Sequence, residues 1–343
     1  MRQSSRRTAV LLAGAGVLFA LILASLTFGR YPVPLLQTVR ILVYRLLKPF
    51  GPGAMRVTWT QAMEHAVADI RLPRVLTACL VGCSLSAAGT TFQGIFQNPM
   101  ASPDILGASG GAAFGAALAI LLGLSAQFIT VFAFLGALLS IALVFLVSQR
   151  APGQRTLNLI LAGIMVGSLF SAGTSYLKLV ADPSDQLPAI TYWLMGSLSG
   201  TKGSTVLTAA IPMAIGLVPL LLLRWRLNVL CLGDEEARAL GVNVGLLRTV
   251  LILCATLVTA ASIAVSGTIG WVGLVIPHLS RKLIGSDHRG LLPCSMLTGA
   301  AFLLVVDDVS RNLLATEIPI GILTALIGAP FFLRLLMRKE KML

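Results

Sequence analysis

Charge is what this sequence has least of. Asp, Glu, Lys and Arg make up 11% of its 343 residues, against 56% hydrophobic, where soluble domains carry roughly a quarter charged residues. That deficit excludes an ordinary water-facing domain, and the question becomes how often the chain crosses a bilayer. Ionisable groups are scarcest inside the apolar runs. The first six runs hold almost none in their middles; Lys178 and the cluster of Asp307, Asp308, Arg311 and Glu317 lie near run ends. Such groups cost roughly 2.5–3.5 kcal/mol each within a membrane and are retained where they carry ions. Their scarcity argues against an ion-coupled secondary transporter. No G-x-x-x-x-G-K-[ST] loop occurs, so nucleotide chemistry must come from another chain. Histidine is rare, and His278 has no second His or Cys beside it at helix spacing. It therefore reads as a hydrogen-bonded structural residue and not as a ligand. Cys79, Cys83, Cys254 and Cys294 lie in apolar runs and Cys231 in a polar stretch. Even Cys79 and Cys83, at i, i+4, read as packing. No metal site and no cofactor is expected in this chain.

What is present is a series of long apolar segments. A span needs about 20 mostly apolar residues, and ten candidates are read at 9–28, 74–97, 105–123, 127–147, 157–180, 206–223, 247–267, 270–284, 291–314 and 319–337. They are apolar on all sides, not alternating as barrel strands do, so the fold class is an all-α integral membrane protein in one domain, residues 1–343. The 9–28 run is longer than a signal-peptide core and lacks a good cleavage pattern, so it is read as a retained first span. The net charge of +13 does not point to nucleic acid. With the N-terminus cytoplasmic, most Lys and Arg fall on the cytoplasmic side, and most of the remainder lie in the first outer segment. The positive-inside rule thus favours cytoplasmic N- and C-termini.

Two kinds of local pattern stand out. In the outer segment 29–73, Leu35, Leu36, Val39, Leu42, Val43, Leu46 and Leu47 recur with Arg40, Arg45 and Lys48 between them. This predicts an amphipathic helix lying in the membrane interface, ended by Gly51, Pro52 and Gly53. Residues 58–70 predict a second short helix. Small residues also form ridges. Gly107, Gly111, Gly115, Ala119 and Gly123 are four apart, and Gly267, Gly270 and Gly273 three apart. Such ridges let helices approach closely in lipid, the second set between the seventh and eighth spans.

The polar stretch 224–248, RWRLNVLCLGDEEARALGVNVGLLR, is the longest cytoplasmic loop. Asp234 suits an N-cap, Glu235 and Glu236 suit a helix first turn, and Gly241 suits a C-terminal stop. A short helix over 235–240 follows, with Ala237 and Leu240 on one side. A capped connector and a docking helix for a partner's groove fit this pattern equally.

RLPRVLTACLVGCSLSAAGTTFQGIFQNPMASPDILGASGG, LGDEEARALGV, GWVGLVIPHLSRKLIGSDHR and EIPIGILTALIGAP occur in this order. In that order they resemble the FecCD-type permeases, membrane subunits of ABC importers for iron chelates, haem and cobalamin, over about residues 70–335. The resemblance implies a type II importer architecture: about ten helices, a homodimer with the pathway between its copies, and two cytoplasmic ATPase subunits that hold the ATP and Mg. It also implies an extracytoplasmic binding protein, membrane lipid around the dimer, no nucleic acid, and location in a prokaryotic plasma membrane. Gly233, Asp234, Glu235, Glu236, Ala237, Arg238, Ala239, Leu240 and Gly241 would be the coupling helix. Arg71 and Arg74 of RLPR, and Arg311 of the D-x-x-x-R pattern, match family arginines that pair with acids on the binding protein; arginine suits this through its bidentate geometry. Interface anchoring is the plain alternative for all three, and Asp307 at i−4 offers Arg311 another. Asn98 of the N-P motif and Thr156 match the cytoplasmic gate, though an Asn-Pro turn is also an ordinary helix stop. In GWVGLVIPHLSRKLIGSDHR the glycine-rich part would enter the membrane from outside and the Pro277–His278 part would descend to the cytoplasm, with Pro277 removing one helix hydrogen bond.

The implied function is ATP-driven import of a metal chelate, a ferric siderophore first, with cobalamin, haem or molybdate as alternatives. A passive channel or scaffold would give the capped loop helix no role.

Overall fold

In a computed structural model the protein is described over residues 2–48, 57–153 and 155–337. Gly51, Pro52 and Gly53 lie outside the described residues. The elements run α1 (Arg2–Thr27), α2 (Leu35–Leu47), α3 (Gln61–Glu64), a π-helical stretch (His65–Arg71) and α4 (Leu72–Ile95). A 3₁₀ turn (Pro103–Leu106) leads into α5 (Ala108–Leu121), α6 (Ala126–Arg150), α7 (Arg155–Val180), α8 (Gln186–Leu194) and α9 (Gly203–Leu230). Then come α10 (Asp234–Ala239), α11 (Val244–Ser266), α12 (Val272–Ile284), α13 (His288–Asn312) and α14 (Ile320–Met337). No strand occurs among the described residues.

Among the described residues, seven helices are long and apolar enough to cross a membrane. The third and eighth expected spans are shorter than read. Gly107 takes a left-handed turn at φ 70° and starts α5 late, leaving 14 helical residues. Trp271 interrupts the backbone before α12, which has 13. The tenth is the short apolar helix Ile320–Arg334 within α14. The second is longer than read: the helix expected over 58–70 joins α4 through the π-helical stretch, giving 35 helical residues from Gln61 to Ile95.

α4 is the central post of the bundle, buried along most of its length. Glycines let it touch its neighbours backbone to backbone. A Cβ on Gly82 would overlap the Gly299 carbonyl of α13, and one on Gly89 the Gly273 carbonyl of α12. In lipid such approach supplies dispersion contacts that the hydrophobic effect cannot. Polar groups add to it. Arg281 Nη1 of α12 donates to Gln93 Oε1 of α4 at 2.6 Å, and Gln97 Nε2 donates to the Leu230 carbonyl of α9 at 3.0 Å. His278 packs its ring edge-on to Phe331 of α14, centroids 6.2 Å apart.

The expected ridges sort into different roles. Gly111 and Gly115 press against the α6 backbone at Gly136 and Phe132. Gly107 instead meets α7 at Gly163 and Gly167, and Gly123 stands open at the turn after α5. Gly267 packs on the Trp193 carbonyl of α8 and Gly273 on Pro103 and α4, while a Cβ on Gly270 would point into open space. That trio therefore does not join the seventh span to the eighth.

α2 forms where the periodicity placed it. It buries Thr38 and Ile41 against Val33, Trp59 and Val67 and exposes Leu35, Leu36, Val39, Val43 and Leu46. Arg45 ties it to Glu64 at 2.8 Å and Asp69 at 3.1 Å.

At the other end of the bundle, Arg7 of α1 pairs with Asp287 at 2.6 Å. Burial alone would raise the Asp287 carboxyl. Hydrogen bonds from the Arg289 N–H, Asn228 and Arg7, with the Arg7 charge, hold it below its ordinary value.

Two predictions follow from these contacts. Gly89→Ala and Gly299→Ala should each cost about 1–3 kcal/mol by overpacking, whereas Gly16→Ala, in open space, should be neutral or stabilise by up to ~1 kcal/mol. Thermal unfolding in mild detergent distinguishes them. A depressed carboxyl stabilises fully above its unfolded value of about 4 and loses that contribution as pH falls through the lower folded value. Hydrogen exchange in the first turns of α1, corrected for its intrinsic pH dependence, should therefore rise below about pH 4 in the native chain. In Asp287→Asn it should already be raised and flat.

Candidate functional site

Three sites take shape, one at each end of the bundle and one between. The first is built on α10. Gly233 enters it at φ 118° and serves as N-cap without a side-chain bond. Asp234 is thus the first helical residue and not the cap. Its carboxylate receives Arg248 Nη2 at 2.7 Å and Nη1 at 3.2 Å, a bidentate tie to α11. Glu235 and Glu236 fall in the first turn, where the helix dipole favours acid. Gly241, at φ 77°, closes the helix: its N–H donates to the Arg238 carbonyl at 2.9 Å and that of Val242 to Ala237 at 3.1 Å. This is the paired closure expected of a left-handed glycine stop. Ala237 is fully buried, with Leu230, Val244 and Leu247 in the same core, but Leu240 is 63% exposed. The two do not share an environment, as their spacing suggested. The result is a rigidly seated helix whose outward surface carries Glu235, Glu236, Arg238, Ala239 and Leu240, flanked by exposed Leu232 and Leu246.

The second site is the opposite, arginine end. Arg71, Arg74 and Arg311 are all buried. Arg71 Nη1 donates to the Leu26 and Thr27 carbonyls at 2.8 and 3.0 Å, and Nη2 to that of Tyr31. It satisfies the orphan carbonyls that end α1. Arg74 Nε donates to both Asp307 oxygens at 3.0 and 3.1 Å, and Nη1 to Glu317 at 2.8 Å. Arg311 reaches Asp308, the Ser25 carbonyl at 2.8 Å and Ser25 Oγ at 2.6 Å. The structure brings the three expected arginines together, with carboxylates the sequence placed near only one of them. Arg74 and Arg311 meet Asp307, Asp308 and Glu317, while Arg71 is held by backbone carbonyls alone, so all three guanidiniums have partners within the chain.

The third site was not read from the sequence. A cavity of about 590 Å³ lies where α4, α5, α11, α12 and α14 meet. The loop after α8 is stitched to its rim by backbone bonds from Ile320 to Gly196 at 2.9 Å, Gly321 to Met195 at 3.0 Å and Ser197 to Ser266 at 2.8 Å. Trp271 lines it with φ at 69°, a conformation bulky residues avoid. Such strain is kept where the surroundings enforce it, and it clusters at functional positions. Asp104 also lines the cavity and is exposed within it. Its Oδ1 accepts the Ser109 N–H at 2.9 Å, over the first turn of α5.

Of the expected gate residues, Asn98 is exposed and forms a local turn, its Oδ1 accepting the Met100 N–H at 2.9 Å. Thr156 lies in the first turn of α7, and its side chain is outside the described residues.

Breaking a buried ion pair strands its partner's charge and costs roughly 3–5 kcal/mol. Asp307→Ala should lose that much stability, and Asp307→Ala with Arg74→Leu should recover most of it, as unfolding in mild detergent would report.

The chain matches the FecCD transport family over residues 17–338. It is 43% identical to the molybdate import system permease protein MolB of Haemophilus influenzae, over 90% of this chain and 89% of that one. It is 39% identical to the cobalamin import system permease protein BtuC of Halobacterium salinarum, over 99% of both. A solved structure described as a metal-chelate type ABC transporter, in an inward-facing conformation, superposes with a TM-score of 0.84 at 40% identity, covering 96% of this chain and 99% of that one. With nearly the whole length matched by the family, and with relatives this close along it, the chain belongs to the FecCD transport family.

Proposed function

We propose that this chain is the membrane-spanning permease subunit of an ABC importer, moving a metal chelate from a binding protein at the arginine end to the cytoplasm at the α10 end. Two copies would enclose the pathway in a prokaryotic plasma membrane, with both termini cytoplasmic. ATP and Mg would be held by two separate ATPase subunits, and this chain would carry no cofactor and perform no covalent chemistry. The observation that carries the reading is α10. Six residues are fixed by a buried alanine, a bidentate Asp234–Arg248 tie and a glycine closure, yet present Glu235 and Glu236 outward between the exposed flanking leucines Leu232, Leu240 and Leu246. A passive connector has no need of such anchoring, whereas a helix that must transmit motion does.

A ferric siderophore is the first choice of chelate. The likeness to a metal-chelate transporter supports a chelated metal, while the relatives named for molybdate and cobalamin keep other cargoes in the comparison. For the binding protein, Arg71, Arg74 and Arg311 would act by exchanging internal partners for acids on its surface. Glu317, the most exposed of the three carboxylates facing them, with 28% of its side-chain surface accessible, is the first that Arg74 would release.

In the complete importer, Glu235→Lys with Glu236→Lys should cut ATP-driven uptake at least about tenfold, the equivalent of 1.4 kcal/mol. The permease should keep its unfolding temperature. Unchanged uptake with unchanged ATPase stimulation would remove α10 from the coupling role.

A further inference from the structure

The cavity beside α5 has a one-sided inventory of charge. Its only charged side chain among the described residues is Asp104; no Lys, Arg or His lines it. Two of its hydroxyls face it as acceptors: Thr259 gives its hydrogen to the Ala255 carbonyl at 2.8 Å, and Thr268 gives its own to Leu194. Ser102, whose Oγ accepts the Asp104 N–H at 3.4 Å, keeps a hydrogen to donate but brings no charge. Trp271 adds an indole, whose face attracts cations. The first turn of α5, which would otherwise favour an anion, is already covered by the Asp104 carboxylate through the Ser109 N–H. A volume of about 590 Å³ falls within the range of small-molecule sites.

Resting on the importer reading above, we propose that this cavity sorts cargo by charge: it admits metal chelates carrying net positive charge and disfavours anionic ones. A free oxyanion or a carboxylate-rich chelate is then the poorest fit. A ferric chelate with a pendant ammonium is the best, its charge near Asp104 and its apolar surface against Trp271 and the α14 residues Ile322 and Leu326.

Three ferric trihydroxamates with one common core test this: ferric desferrioxamine B, which bears a free ammonium, its neutral N-acetyl derivative and its anionic N-succinyl derivative. Binding is measured by equilibrium dialysis of radioactive iron against the full chain in nanodiscs. Uptake is measured into vesicles carrying the whole importer. Two variants are chosen to keep the local fold. Asp104→Asn retains the acceptor for the Ser109 N–H. Ser102→Asp retains the cap on the Asp104 N–H and adds a second carboxylate. The native chain should prefer the cation over the anion by at least about tenfold, as one nearby charge at intermediate dielectric requires. Asp104→Asn should bring that ratio near unity and Ser102→Asp should raise it, with the neutral chelate little changed. The same ratio in all three proteins, or no binding of any chelate, overturns the proposal. A ratio that shifts in dialysis without ATP-driven uptake of any chelate upholds the cavity's preference and sinks the importer reading for ferric chelates. ATP-driven uptake with an unmoved ratio does the reverse.

Discussion

Backbone contact between α4 and its neighbours is the constraint on which the rest depends. Lipid gives apolar helices no reason to associate, so the bundle must be held by close packing and by the few polar groups it can satisfy. Gly82 against Gly299 and Gly89 against Gly273 bring α13 and α12 as near to α4 as backbones allow. Interior packing is close to crystalline density and tolerates little change in volume. The position of α4 therefore fixes the α12 segment that carries Trp271, and through Gly273 and Pro103 it fixes the loop that carries Asp104. The cavity is a consequence of that contact.

The same post joins the two ends of the molecule. Arg71 and Arg74 stand at the start of α4, and Gln93 and Gln97 at its other end, toward α12 and α9. A displacement of α10, seated between α9 and α11 by Ala237 and Asp234, thus has a rigid route into the core. Charge is spent sparingly along it. At the arginine end Asp307, Asp308 and Glu317 are met by Arg74 and Arg311, whereas Asp104 faces the cavity with no charged side chain beside it in the described lining.

Much of this was legible in the sequence. Apolar runs gave the helices because a segment in lipid must satisfy its own backbone, and the glycine and acid pattern at 233–241 gave α10. Most of what was missed depends on residues far apart in the chain. Arg74 reads as a span-end arginine until Asp307, 233 positions away, is found beneath it. Asp104 reads as a loop residue, since prolines and serine caps around it signal a turn. Only the return of residues 98–107 along α4, to the depth of Gly273, places it inside the bundle. The shortened α5 and α12 were hidden in continuous apolar runs, where hydropathy cannot register a left-handed glycine or a strained tryptophan. Asp234 was read as a cap from local preference; its distant partner Arg248 took it for an ion pair instead.

The proposed permease dimer would be driven by separate ATPases through α10. Native mass spectrometry of the complex captured in mild detergent from its own membrane tests that most directly. The account predicts two copies of this chain with two ATPase subunits, and loss of the ATPases alone when Glu235 and Glu236 are both changed to Lys. Recovery of the chain without ATPases across several detergents, together with ion-driven uptake in vesicles, would contradict it.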